Sequence, residues 1–242
     1  MSEKELVTQE AGELTTSQII EDLGIDMGDV SVGRISVMQS MSQLVQSEDA
    51  KVGDIINLLL NEKIADKEDA AEFIVVGKPF WDWTEKDGDT FLGRYPGKLP
   101  QDKSFTEGTI VRTENQNFYI LLAKELKTGF AMPLQLTFRS SSMVTARKLC
   151  TFLLKMWMMR KPVHTQVFNL TSLMSKKDKY TWYIPEVAPG RDSTTTEIDL
   201  AKVWVDTFKA ASTKAVTAID EDEILTPDKG APVADDDYTG KF

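Results

Sequence analysis

Short runs of β-branched and aromatic residues fill much of the first two thirds of the chain. Residues 73–83 (FIVVGKPFWDW) and residues 117–126 (NFYILLAKEL) have the composition of strands. Residues 130–138 (FAMPLQLTF) follow a glycine turn, so they predict a hairpin with 117–126, and Pro133 would place that second strand at an edge or a bulge. Residues 84–108 are rich in glycine and proline and predict a long loop.

Weaker strand signals lie on both sides of this region. Residues 35–38 predict a short strand, and residues 52–57 predict a turn followed by a strand. The charged stretch 61–70 (NEKIADKEDA) predicts a loop or a short helix. Residues 163–173 and 180–187 predict two further strands that the basic turn SKKDK joins.

Two stretches have helical periodicity. The serines at 140–142 are N-cap candidates for a helix whose body is MVTARKLCTFLLKMWMMRK, and Pro162 follows its end. A last amphipathic helix is predicted over residues 196–218. The first helix is predicted to bury one apolar stripe at helical spacing, formed by Met143, Ala146, Leu149, Cys150, Leu153, Leu154, Trp157 and Met158.

The order of these elements predicts the fold class. It runs strand, strand, strand, helix, strand, strand, and a last helix follows. We therefore predict an α+β chain that is mainly β, arranged as an OB-fold-like five-stranded barrel with a helix between strands three and four and a C-terminal helix. The predicted organisation is an acidic, weakly ordered arm over residues 1–32, the OB-like domain over 33–218 and a disordered acidic tail over 219–242.

Charge is distributed unevenly along the chain. The net charge is −10, yet residues 137–185 hold nine bases and one acid, a net +8. The flanks are acidic, at −11 over residues 1–72 and −7 over residues 186–242. A basic block between acidic flanks predicts a surface that binds a polyanion, although a basic surface that is merely solvated remains the alternative.

Cations and aromatic residues alternate in several stretches of the chain. A protein that binds single strands without sequence preference uses cations to contact phosphates and aromatic rings to stack on base faces. In residues 80–83, alternation puts Trp81 and Trp83 on one face of a strand, and the acid Asp82 indicates that the Phe80 face is the wetter one. The predicted residues of a single-stranded-DNA site are Lys78, Trp83, Arg94, Tyr95, Arg139, Arg147, Lys148, Lys176, Lys177, Lys179, Trp182 and Tyr183. Trp182 and Tyr183 would lie on opposite faces of a strand, so one of them should point outward.

The C-terminal stretch combines acids with a terminal aromatic residue. It contains DEDE at 220–223, then Asp235, Asp236 and Asp237, and it ends in Phe242. Such a tail is predicted to compete with DNA for the basic surface and to dock its terminal Phe on a partner. A tail that serves solubility alone is the other interpretation.

Several of these stretches together resemble phage and prophage single-stranded-DNA-binding proteins of the OB-fold type. The matching parts are GRISVMQSMSQLV, KVGDIINLL, FIVVGKPFWDW, LTFRSSSMVTARKL, KYTWYIPEV and the acidic tail with its final Phe. The resemblance implies that Arg139, Arg147 and Lys148 lie on the DNA-binding side. It also implies a role in phage DNA replication or recombination, with polymerase, helicase or primase as partners of the tail.

Other classes have less support in the sequence. Asp82, Asp87 and Asp89 could seed a metal-dependent nuclease site, but Asp87-Gly88-Asp89 has the composition of a turn. We expect a non-enzymatic protein without metal or cofactor, since it has one cysteine (Cys150) and one histidine (His164). The alternatives left open are a phage transcription cofactor that recruits RNA polymerase, an annealing protein and a virion structural protein. The lone cysteine and the lack of long apolar runs predict the host cytoplasm and no membrane association, and a homodimer is a further expected form.

Overall fold

The computed structural model describes residues 32–129 and 131–210. The predicted acidic arm (except Val32), residues 211–218 of the predicted last helix and domain, and the predicted acidic tail lie outside the described residues. The described chain is α+β and mostly sheet, as predicted. Its strands are β1 (Gly33–Val37), β2 (Ile55–Asn57), β3 (Glu62–Ala65), β4 (Ala71–Val75), β5 (Phe80–Asp87), β6 (Thr90–Pro96), β7 (Thr106–Glu107), β8 (Ile110–Leu122), β9 (Leu134–Arg139), β10 (Gln166–Lys177) and β11 (Tyr180–Asp192). Its helices are α1 (Gln43–Gln46), α2 (Ala123–Leu126), α3 (Met143–Met158) and α4 (Thr195–Ala210), with 3-10 turns at Ser140–Ser142 and Val163–Thr165.

The described strands form one sheet in the order β11-β10-β4-β8-β9-β1-β2-β3, and β5, β6 and β7 extend it beside β8. All pairs are antiparallel except β1 with β9, which run parallel. The sheet is not closed, so the predicted five-stranded barrel is not what the structure shows. Its two ends do approach each other, because the Ser172 N–H donates to the Asp66 carbonyl at 3.2 Å.

Apolar residues fill both faces of the sheet. One face carries the larger core, which includes Phe73, Phe118 and Phe138 and is covered by the buried side of α3. The other face carries Ile74, Val76, Tyr119 and Leu121, over which Ala201 and Trp204 of α4 pack. The fold is therefore layered, with a helix on each side of the sheet.

Helix α3 lies between β9 and β10 and its start agrees with the prediction, but its buried face was assigned incorrectly. Thr145 and Met156 are buried, whereas Leu154, Trp157 and Met158 of the predicted stripe are exposed. The apolar residues of this helix cover more than one face, so periodicity alone could not say which face the sheet would take.

Several strand predictions need correction because pairing extended or divided the predicted runs. Residues 73–83 form parts of two strands, β4 and β5, and the predicted loop over 84–108 instead contains the end of β5, then β6 and β7. The predicted loop or helix at 61–70 contains strand β3, and residues 123–126 of the predicted strand form α2. The hairpin itself is confirmed as β8 and β9.

Two predictions about particular side chains are also wrong, because they depended on which strands lie next to each other. Pro133 precedes β9, and β9 lies between β8 and β1 rather than at an edge. Asp82, predicted on the wetter face, is buried, and Asn115 and Asn117 of β8 each donate a side-chain hydrogen bond to its carboxylate. A buried charge is tolerated where amide donors satisfy its oxygens in this way.

Candidate nucleic-acid interface

A cleft opens where the parallel strands β1 and β9 separate at their carboxyl ends. The two strands pair only from Gly33–Leu134 to Ile35–Leu136. Beyond that register, β11 and the Ser140–Ser142 turn border the gap. The cleft has a volume of about 200 Å³ and is lined by Arg34, Ile35, Ser36, Val37, Gln39, Leu58, Leu136, Thr137, Arg139, Ser140, Ser141, Ser142, Trp182, Tyr183, Ile184 and Pro185.

The serine turn on the cleft wall is held by local hydrogen bonds. The Arg139 N–H donates to the Ser142 hydroxyl at 2.7 Å, and that hydroxyl donates to the Arg139 carbonyl at 2.8 Å. Ser140 has a φ of +47°, which bends the chain sharply from β9 into α3. The three serines that directly precede the 16-residue helix α3 therefore line the cleft.

Trp182 contributes the aromatic part of the wall. Its indole N–H donates to the Ser141 hydroxyl at 2.9 Å, and its side chain is half-buried. This bond fixes the ring beside the serine turn and leaves part of its surface accessible, although 41 residues separate the two side chains along the chain. Arg139, the exposed residue that begins the turn, lines the same cleft.

Tyr183 lines the cleft from the neighbouring position, but its backbone and ring are more constrained. Its N–H donates to the Gln39 side-chain oxygen at 3.0 Å, and its carbonyl accepts from the Gln39 side-chain nitrogen at 2.8 Å. A Cβ at Gly53, where φ is +91°, would lie 2.8 Å from the Tyr183 ring. Tyr183 therefore joins the end of β1 to β11 and serves the architecture of the cleft.

The β10–β11 hairpin carries the remaining predicted lysines to its tip. Directly paired residues share a face, so the pairs Ser175–Trp182 and Lys177–Tyr180 put Lys177 and Tyr180 on the face of Trp182. Lys176, opposite Thr181, lies on the face of Tyr183. Lys179 lies in the turn, with its ammonium nitrogen 5.4 Å from the centre of the Tyr180 ring. Tyr180 is exposed, and it is an aromatic residue that the sequence prediction left out.

The two cations predicted on α3 differ in their surroundings. Lys148 forms an ion pair with Glu186 of β11 at 2.8 Å, so part of its charge is already neutralised. Arg147 is exposed, and within the described residues no carboxylate lies within salt-bridge distance of it. Arg147 is therefore the freer of the two cations for an external anion.

The four remaining predicted residues belong to β5, β6 or the residues just before β5, and none of them lines the cleft; nor do the predicted cations of α3 and of the β10–β11 hairpin. Trp83 is only 4% exposed and stacks on Tyr95 at 4.3 Å between ring centres, and the Lys103 ammonium lies 4.7 Å from the centre of the Trp83 ring. The Arg94 guanidinium lies 3.9 Å from the Asp82 carboxylate. Lys78 is exposed just before β5. The β5–β6 hairpin thus uses Trp83 and Tyr95 to pack against each other, and Trp83 offers no free face for a base.

Sequence reasoning missed Arg34 as a cleft residue. It is 5% exposed and occupies the second position of β1, paired in register with Gln135 of β9. Its only sequence signal was a cation inside an otherwise apolar strand run, GRISV, which is unusual for a residue type that is seldom buried.

Buried polar side chains form a network behind the strands of the cleft. The Asn117 amide donates to Asp82 at 2.9 Å, and its oxygen accepts from Gln135 and from Thr137, each at 2.8 Å. Burial, together with the nearby Asp82 charge, raises the pKa of Tyr119 to about 12, so that phenol stays protonated. Asp82, the first of the three acids considered for a nuclease site, belongs to this network.

Two further observations concern a metal site and a membrane-spanning helix. In the part of the chain that the structure describes, no three His, Cys, Asp or Glu side chains are grouped so that they could hold a metal ion. Among the same residues, no helix is both long and apolar enough to cross a membrane.

Comparisons with known proteins identify a family. No curated protein and no solved structure matches this chain. A family model described as Pam3 phage gp34-like protein matches residues 15–214. Because that match covers most of the 242 residues, it confirms the predicted phage origin, and the chain belongs to the family of Pam3 phage gp34-like proteins.

Proposed function

We propose that this protein binds single-stranded DNA without sequence preference, at the cleft between β1, β9 and β11 and along the β10–β11 hairpin. The observation that carries the proposal is the meeting of Arg139, Trp182 and Tyr183 with Arg34 around one cleft. These residues come from three separate parts of the sequence. In a phage, such a protein would cover the single strands that form during DNA replication and recombination.

Cations beside the cleft supply contacts for phosphates. Arg139 lines it directly, Arg147 is exposed on the helix that starts there, and Lys177 and Lys179 lie at the tip of the hairpin that carries Trp182. Contacts of this kind are independent of base sequence and provide most of the affinity of a non-specific binder.

Aromatic rings on the same hairpin supply contacts for bases. Trp182 is half-buried and held by Ser141, and Tyr180 is exposed two residues away on the same face. A base that stacks on such a ring contributes about 1–3 kcal/mol, and stacking tolerates any base. Only single strands expose base faces, so we expect a preference for single strands over duplex.

The size of the cleft favours a polymer over a small molecule. Its volume of about 200 Å³ is below the range of roughly 300–1,000 Å³ that pockets for drug-sized ligands occupy. A cleft of this size, beside a basic hairpin, suits a short part of a strand whose remainder lies on the open surface.

The experiment is an anisotropy titration of labelled oligo-dT, longer than about 16 nucleotides, with matched variants. Trp182→Ala should weaken binding by roughly 5- to 150-fold, the effect of losing one stacked base. Arg139→Ala should also weaken it. The matched controls are Phe105→Ala and Lys67→Ala, which remove an exposed aromatic residue and an exposed cation away from the cleft, and they should leave affinity unchanged. Equal binding to duplex, or equal losses in variants and controls, would overturn the proposal.

A further inference from the structure

Helix α3 ends in an exposed patch that combines apolar and basic side chains. Trp157 is 73% exposed and Met158 is 72% exposed, and Leu154 and Met159 are exposed beside them. Lys155, Arg160 and Lys161 are the exposed cations of the same region. We call these seven residues the α3 patch. Apolar side chains exposed together in this way, with polar residues beside them, are typical of a protein-interaction site.

The cations of the α3 patch are available to an external anion. Within residues 32–129 and 131–210, no carboxylate lies within salt-bridge distance of Lys155, Arg160 or Lys161. The patch therefore fits a partner that carries acids and apolar side chains together.

The last described turns of α4 lie close to this patch. Val163–Thr165, which follows α3 directly, contacts both α3 and α4. Burial lowers the pKa of His164 in this turn, and the charges of Lys209, Asp206 and Lys202 act on the same imidazole, so the second half of α4 lies near it. The described end of α4 therefore lies near the turn that follows Lys161.

The sequence that follows α4 has the matching chemistry. Residues 216–225 read VTAIDEDEIL, in which four consecutive acids stand between Ile219 and Ile224-Leu225. Only a few residues separate this segment from the end of α4, and a chain extends by up to about 3.3–3.6 Å per residue. The segment is thus within reach of the α3 patch and is present at high effective concentration.

We propose that residues 216–225 dock on the α3 patch of the same molecule. Asp220, Glu221, Asp222 and Glu223 pair with Lys155, Arg160 and Lys161, and the flanking apolar residues cover Trp157 and Met158. A second copy of the chain is a poorer occupant, because a twofold contact between two α3 patches would bring like charges together. DNA is a poorer occupant as well, because Trp157 is the single ring of the α3 patch, and Leu154, Met158 and Met159 around it suit an adaptable peptide contact rather than base stacking. The proposal is independent of DNA binding.

Zero-length carbodiimide crosslinking of the full chain, read by mass spectrometry, tests this docking. We expect crosslinks from Asp220–Glu223 to Lys155 and Lys161. Crosslinking a mixture of ¹⁵N-labelled and unlabelled protein distinguishes contacts within one molecule from contacts between two copies. We expect each crosslink to join two peptides of the same isotope. Crosslinks of mixed isotope would assign the α3 patch to a second copy and overturn the proposal.

Two variants keep the crosslinking lysines, Lys155 and Lys161, and remove the apolar side chains that the docked segment would cover. Trp157→Ala and Met158→Ala, both at highly exposed positions, should lower the yield of these crosslinks about fivefold, the effect of losing an interface side chain whose truncation costs about 1 kcal/mol. Met174→Ala is the matched control, since Met174 is 57% exposed and lies outside the α3 patch. Three outcomes would show that the segment does not dock on the α3 patch. The crosslinks could fall on Lys176, Lys177 and Lys179 instead, they could be spread evenly over exposed lysines, or their yield could be unchanged in both variants.

Discussion

At the scale of single residues, one glycine allows the turn before β2 to lie close to Tyr183 of β11. Gly53 has a φ of +91°, and the ring of Tyr183 lies where a Cβ would project. Gln39, near the end of β1, holds the backbone of Tyr183 from the same side. The wall of the cleft therefore depends on a position that only glycine fits, both by conformation and by space.

Gly53→Ala should therefore destabilise the protein more than Gly88→Ala does. Gly88 also has a positive φ, of +57°, but a Cβ there would meet nothing within 4 Å. The control variant, Gly88→Ala, should lower the free energy of unfolding by about 1–2 kcal/mol through backbone strain alone. Gly53→Ala should lose roughly a further 1–3 kcal/mol from the clash with Tyr183. Urea unfolding measures both, and equal losses would mean that the ring moves aside without cost.

At the scale of elements, a cluster of charges attaches α4 to the sheet. Arg191 of β11 donates hydrogen bonds to Glu72 of β4 and to Glu197 of α4, with nitrogen–oxygen distances of 2.9 Å and 2.7 Å. Glu197 is buried and also accepts from the Thr194 N–H at the start of the helix. These bonds, the strongest of which come from Arg191, lower the pKa of Glu197 to about 2.

This lowered pKa predicts how stability depends on pH. A carboxyl whose pKa is lower in the folded chain than its ordinary 4.5 stabilises the fold above pH 4.5, and the contribution is lost as pH falls through about 2. Glu197→Gln should therefore cost at most about 3 kcal/mol at pH 7 and approach the parent protein near pH 2. Circular dichroism of urea unfolding across this range measures the difference. Glu68→Gln, at an exposed carboxylate outside the cluster, is the control, and a gap of equal size at every pH would refute the assignment.

At the scale of the whole molecule, the basic block of residues 137–185 is divided among several surfaces. Arg139 lines the cleft, Lys148 pairs with Glu186, Lys155, Arg160 and Lys161 belong to the α3 patch, and the other lysines lie at the hairpin tip. The net +8 of the block therefore overstates the charge that any one ligand would meet.

The salt dependence of single-strand binding measures how much of this charge the DNA meets. Replacing Lys176, Lys177 and Lys179 with Ala should lower the log–log salt slope by up to about 2, at about 0.7 for each phosphate that a lysine no longer neutralises. Lys51, Lys67 and Lys127 form the matched control triple, because they are exposed lysines outside the hairpin. An unchanged slope in the first triple would mean that the hairpin tip faces away from DNA.

Local sequence patterns were sufficient for features that depend on near neighbours. The start of α3, the β8–β9 hairpin, the pairing of residues 163–173 with 180–187 and the mainly β class follow from periodicity, turn residues and β-branched composition. The opposite faces of Trp182 and Tyr183 follow from strand alternation alone. These features need no knowledge of which distant segments meet.

Only the tertiary structure decided which side chains are available to a ligand. Trp83 is buried because β6 brings Tyr95 and the following segment brings Lys103 against it, whereas Trp157 is exposed because the sheet takes another face of α3. Arg34 reaches the cleft only through the parallel pairing of β1 with β9, two strands that lie about a hundred residues apart in the chain. Exposure and ion pairing depend on the register and packing of such distant segments, and a pattern of neighbouring residues carries no information about them.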